Sequence, residues 1–206
     1  MPEAIILAGN RIGLTGLTGL SARDDRLAIA TRIERLDWAG STVVADVLKG
    51  AGPAVTVARQ DEPFLVRAWL GRELCVWTTP SPDDLSSDES VVDLTPSGQI
   101  AEGIARVLGL CPGPERGEDA KPLLFDQEQF AAYSADEGIR HWRVRIDAGD
   151  ESGNSSSFEV VKHSTLGWFI APEGTGSAPI SLFPTDARGL WLLLLSLLGD
   201  ALPVAE

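Results

Sequence analysis

The chain has 206 residues, 44% of them hydrophobic, long enough for one large domain or two small ones and apolar enough to fold as a globule. Its 17 Lys and Arg face 30 Asp and Glu, a formal net charge of −13. That balance repels phosphate backbones and anionic lipid alike, so neither nucleic acid nor membrane insertion is expected.

The opening MPEAIILAGNRIG has an apolar patch at Ile5, Ile6, Leu7 and Ala8 but no basic stretch before it, so it does not read as a signal peptide. A cytoplasmic location is expected, and two cysteines without close spacing, Cys75 and Cys111, suit a reducing compartment. GNRIGLTGLTGL lacks both the Lys-Ser or Lys-Thr ending of a phosphate loop and the Gly-x-Gly-x-x-Gly spacing, and it reads as a turn-rich segment. Over 24–48, Leu27, Ile29, Ala30, Ile33 and Leu36 recur at helical spacing, and Val43, Val44, Val47 and Leu48 follow after Gly40. The pattern predicts a helix, a turn and a shorter helix capped by Ser41.

AVTVARQ, FLVRAWLGRELCVWTTP and SVVDLTP predict an antiparallel meander. Gly71 is placed where a tight hairpin needs a positive φ. The acidic stretch PSPDDLSSDES is read as an exposed loop. Ser97 is the predicted cap of a helix with Ile100, Ile104, Val107 and Leu108 on one side, ended by Gly109 and Pro112. CPGPERGEDAKP is a linker by composition. A short helix over 126–136 comes next, then strands in HWRVRID, SSSFEVVKH, LGWFIAP and PISLFP. The last helix is predicted to start at a Thr185 cap with Asp186 at its positive end. Its run GLWLLLLSLL is too short for a bilayer span of about 20 residues. Being apolar on nearly every side, it is expected to be covered on two sides, with Trp191, Leu194, Leu195 and Leu198 mostly buried.

VVDLTPSGQIAEGIARVLG and PISLFPTDARGLWLLLLSLLG share one layout: a strand, Pro96 or Pro184, a capping Ser97 or Thr185, and an apolar helix. Each follows a strand bearing Trp77 or Trp168, which reads as an internal duplication. The fold expected is α+β: an antiparallel central sheet with helices, in two pseudo-twofold-related halves of a single domain over 1–206. The halves span about 24–112 and 123–203, with the linker at 111–122.

No reactive constellation emerges. His141 and His163 sit in or beside strands with no triad or zinc spacing around them, and they read as surface or packing residues. Asp83, Asp84, Asp88 and Glu89 lack the order of a calcium loop and read as a solvated cluster. No catalytic residue, cofactor or metal is therefore expected.

The order of these pieces resembles the EspG family, the cytosolic chaperones of actinobacterial type VII secretion (ESX). It is carried by RLAIATRIERLDWAGSTVVADVLKGAGPAVTVARQ, by VVDLTPSGQIAEGIARVLG before the Pro-rich linker, and by STLGWFIAP with PISLFPTDARGLWLLLLSLLGDALP, together about 24–203. The chain is shorter than is usual for that family, the segment before HWRVRID is compressed, and no first strand is read at the start. The resemblance implies a non-enzymatic adaptor that binds the tip of a helical secreted substrate, a PE/PPE-like heterodimer or a relative, and keeps it soluble. An acidic immunity protein that covers a toxin is the alternative, with DDLSSDES as its contact. HWRVRID alternates, so Trp142, Val144 and Ile146 are assigned to the core and His141, Arg143 and Arg145 to the other side of the strand. These three are the candidate partner-binding residues, although the protein's own carboxylates could equally neutralise the two arginines.

Overall fold

The computed structural model describes residues 4–7, 11–15, 22–35, 40–60, 65–80, 89–110, 121–147, 155–172 and 179–201. In chain order the elements are β1 (Ala4–Leu7), β2 (Arg11–Thr15), α1 (Ala22–Ile33), α2 (Ser41–Gly50), β3 (Ala54–Arg59), β4 (Leu65–Leu70), β5 (Leu74–Pro80) and β6 (Glu89–Pro96). A 3-10 turn (Ser97–Gln99) leads into α3 (Ile100–Leu108). The remainder is β7 (Leu123–Phe125), α4 (Gln127–Ser134), β8 (Ile139–Asp147), β9 (Ser155–His163), β10 (Gly167–Pro172), β11 (Ile180–Thr185) and α5 (Ala187–Ala201).

All eleven strands join one sheet in the order β1-β2-β6-β5-β4-β3-β8-β9-β10-β11-β7. Every neighbouring pair is antiparallel. The order runs alike in both directions from the central β3–β8 pair, β4, β5, β6, β2 on one side and β9, β10, β11, β7 on the other, with β1 added beyond β2. Each arm is made by one or two strands, one or two helices, a four-strand meander and a closing helix. The protein is thus α+β, an open antiparallel sheet with helices on both faces.

One face of the sheet carries α3 and α5. Trp77, Trp142, Val144, Val160 and Trp168 pack there against Ile104 and Leu108 of α3 and Leu190, Leu194 and Leu198 of α5 in one continuous core. The other face is covered in two separate places. Ile29 and Ile33 of α1 and Val44 and Leu48 of α2 cover Trp69, Val76 and Val92. Phe130 of α4 covers Val161, Phe169 and Leu182. Burial along the strands records this cover. β4 is buried at five of its six positions, whereas β8 alternates buried and exposed from Trp142 to Ile146. A strand packed on both sides loses its alternation, and one packed on a single side keeps it.

Helix ends follow local chemistry. Asp126 and Gln129 form a reciprocal capping box on α4, with Gln129 N–H donating to Asp126 Oδ1 at 2.7 Å and Asp126 N–H to Gln129 Oε1 at 3.0 Å. Gly109 ends α3 with φ 68°, the left-handed conformation that glycine adopts without steric cost.

Several sequence expectations need correction. The Gly-rich opening contributes the β1–β2 hairpin, and β2 pairs with β6, so the start of the chain extends the sheet. Ser41 is the first residue of α2, not its cap; Gly40 holds that position without a side-chain bond. Ser97 caps nothing, because its hydroxyl donates to the Gly71 carbonyl at 2.8 Å. Gly71 has no positive φ; a Cβ there would lie 2.7 Å from the Leu74 carbonyl oxygen, so close approach is what excludes a side chain. Asp186, not Thr185, caps α5, accepting the Gly189 N–H at 2.6 Å. The expected burial of α5 is wrong at two positions. Leu190, Leu194 and Leu198 are buried between α3 and the sheet, but Trp191 is only half-buried and Leu195 is 43% exposed, because the outer side of the helix faces away from both. The acidic loop at 83–88 and most of the linker lie outside the described residues.

This asymmetry of α5 predicts opposite results from one chemical change at adjacent positions. Leu194→Asp, which places an unpaired carboxylate in the core, should abolish the cooperative thermal transition in circular dichroism, whereas Leu195→Asp should keep it. Gly103 gives a second prediction, since a Cβ there would sit 2.5 Å from the Trp77 ring. Gly103→Ala should lower unfolding free energy by about 1–3 kcal/mol in a denaturant titration, the overpacking outweighing alanine's helix preference of roughly 1 kcal/mol.

Candidate functional site

Between the cover of α1 and α2 and that of α4, no described helix lies over the middle of the second face. A polar row crosses five adjacent strands there: Thr78 on β5, Arg67 on β4, Thr56 on β3, Arg145 on β8 and Ser157 on β9 are successive cross-strand partners. The row beside it runs Ala58, Arg143 and Glu159. Arg67 and Thr78 are buried at one end, while the Arg143 and Arg145 side chains are 47% and 55% exposed. Strand alternation puts these residues on one face, and β3–β8–β9 register sets them side by side.

Of the three residues predicted from HWRVRID, Arg143 and Arg145 do face outward. His141 shares their side of the strand but is buried, which corrects its reading as part of an outward row. The Phe130 ring of α4 meets its imidazole edge to face at 5.3 Å, and its Nε2 lies 3.0 Å from Glu159 Oε2. Glu159 also accepts from Arg143 Nη2 through its other oxygen at 2.9 Å, and Arg145 Nε donates to Asp147 Oδ1 at 2.8 Å. His141, Glu159 and Arg143 therefore form one network anchored beneath α4. The hydrogen bond from His141 holds the Glu159 carboxyl below its ordinary range, against the opposing effect of burial and with help from Arg143.

Glu159 was not anticipated from the sequence. In SSSFEVVKH it lies between Phe158 and Val160, so alternation marks it as facing away from the core, but pairing with Arg143 follows only from register. The other histidine, His163, organises the β9–β10 turn. Its Nδ1 accepts the N–H groups of Thr165 and Leu166, each at 3.1 Å, and its ring stacks on Tyr133 at 5.9 Å. Cys75 is buried, and burial pushes its thiol up to about 11. Among the described residues, no group of three or more His, Cys, Asp and Glu could hold a metal ion, and no helix is long and apolar enough to cross a membrane.

No family model matches the chain, and no curated protein matches it. Among solved structures it is similar to the Mycobacterium tuberculosis type VII secretion system chaperone EspG5 in complex with the PE25-PPE41 dimer. The TM-score is 0.47 and the identity 12%, with 87% of this chain and 85% of that chain covered. The resemblance is one of fold, and it is distant.

The network has a signature in pH. Because the folded-state pKa of Glu159 lies below its ordinary value of 4.5, its stabilisation is complete above that value and is lost as pH falls through the lowered one. Wild type should therefore exceed Glu159→Gln in unfolding free energy at neutral pH, and the gap should narrow on acidification below about 4.5 in parallel denaturant titrations.

Proposed function

We propose that this protein is a non-enzymatic cytoplasmic chaperone or adaptor that binds a helical type VII secretion substrate, PE/PPE-like or related, and keeps it soluble before export. The order of motifs over 24–203 supports this reading. The observation that carries it is the polar middle of the sheet's second face, with helices to either side and no described helix over it, lined by Thr56, Ala58, Arg143, Arg145 and Glu159.

The tip of a helical hairpin presents two chemistries at once: apolar side chains that would otherwise aggregate, and backbone polar groups left unsatisfied where the helices end. A sheet face with small residues such as Ala58 and planar guanidinium donors suits both. Arg143 and Arg145 are held in place by Glu159 and Asp147, yet each guanidinium has five N–H donors to share between that support and a helix carbonyl end. Pre-positioned donors lose less side-chain freedom on binding than mobile ones.

Replacing Arg143 and Arg145 together by Ser should weaken capture of a co-expressed helical substrate by about tenfold or more, with only a modest fall in melting temperature, since both guanidinium groups are about half exposed and His141 still holds Glu159. Unchanged capture would remove this face as the binding surface. A salt titration of the complex separates the alternative: affinity that persists supports a substrate contact with a large apolar component, and affinity that collapses supports an acidic protein neutralising a toxin.

A further inference from the structure

We propose that His141 and Glu159 are positioning residues for substrate capture: from beneath α4 they hold the Arg143 guanidinium in one orientation, so that Arg143, rather than Arg145, selects the helical end that binds. The inference rests on the reading of this face as the capture surface.

The two arginines stand two residues apart on β8 and look equivalent in the sequence, but their supports differ. Arg145 is held by Asp147, two residues further along the same strand and 28% exposed. Arg143 is held from another strand by Glu159, its direct partner across the β8–β9 ladder, whose side chain is 15% exposed. Glu159 is itself held a second time. His141 pairs with Val161, which makes Glu159 its diagonal neighbour, and the two side chains meet at 3.0 Å. An ionised carboxylate can only accept, so His141 donates from Nε2. One carboxylate oxygen is thus committed to the imidazole and the other to the guanidinium, and the two bonds together fix the plane of the carboxylate between them.

His141 is fixed in turn. Its side chain is buried, with the Phe130 ring of α4 against it, and the first turn of α4 is locked by the Asp126–Gln129 capping box. Support therefore runs from α4 through Phe130, His141 and Glu159 to Arg143. Of these side chains only that of Arg143 is widely exposed, so the others act on a partner through it. A guanidinium is planar, and anchoring Nη2 on Glu159 sets the directions of its remaining N–H groups. Carbonyls at a helix end point along the helix axis, so a fixed fork of donors accepts one direction of approach. Arg145, tethered to a more exposed carboxylate on its own strand, adapts to what Arg143 has oriented.

Side-chain nitrogen relaxation of the arginine Nε–H groups in the full chain measures the positioning without a substrate. Arg143 should be ordered in wild type and in His141→Gln, which keeps an N–H donor, and mobile in His141→Leu and Glu159→Gln. Arg145 should not change. The dissociation constant for a purified PE/PPE-like heterodimer then reads the consequence. His141→Leu and Glu159→Gln should each raise it about fivefold, His141→Gln should stay within about twofold of wild type, and in an Arg143→Ser background neither change should add to the loss. Arg143→Lys should cost about tenfold and Arg145→Lys about twofold. An Arg143 whose order ignores His141→Leu, an effect that persists in full after Arg143→Ser, or equal costs for the two lysine variants would overturn the inference alone. Arg143→Ser with an unchanged dissociation constant would remove the capture reading of the face and this inference with it.

Discussion

The β3–β8 pairing is the constraint on which the rest of this structure depends. Six residue pairs, from Ala54 opposite Asp147 to Arg59 opposite Trp142, join two arms that would otherwise be separate smaller sheets with open edges. The join also unites the core. Val55 and Val57 of one arm share a single buried cluster with Trp142, Val144 and Ile146 of the other, and α3 and α5 close over the same cluster. The two closing helices meet each other as well as the sheet.

The same pairing makes the site. Among the described residues the second face has helices over each arm but none over the join, and the residues of β3, β8 and β9 that point that way are polar or small. Their identities agree: Thr56, Arg143, Arg145, Ser157 and Glu159 stand where Trp69 and Val76, or Val161 and Phe169, stand beneath the helices. His141 marks the boundary, since it lies on the same side of β8 as the arginines but under Phe130, and its bond to Glu159 ties the open row to the covered region. A change that loosens α4 should therefore be felt at Arg143 through Glu159, without any shift of the strands.

α5 shows how a sequence can contain more apolar surface than its own fold consumes. One stripe of leucines closes the core, and a second faces away from the sheet. Exposed single leucines are ordinary on protein surfaces.

Much of the fold was legible in the sequence because it is written in local signals. The helix–turn–helix of α1 and α2, the two meanders, the Gly109 stop and the Pro-bearing entry to each closing helix all depend on periodicity and turn chemistry, which neighbouring residues decide among themselves. The alternation of HWRVRID likewise placed Arg143 and Arg145 outward. Long-range contacts decided the rest. The β1–β2 pairing was missed because Gly13, Leu14 and Thr15 give β2 a weak strand preference, and the strand takes its order from pairing with β6. Ser97 was misjudged as a cap because Gly71, distant in sequence, supplied a better acceptor. His141 was placed with the exposed arginines because alternation distinguishes the two sides of a strand but says nothing of what lies above them. Leu195 was assigned to the interior because helix periodicity counts apolar residues, while only packing determines which of them the sheet can reach.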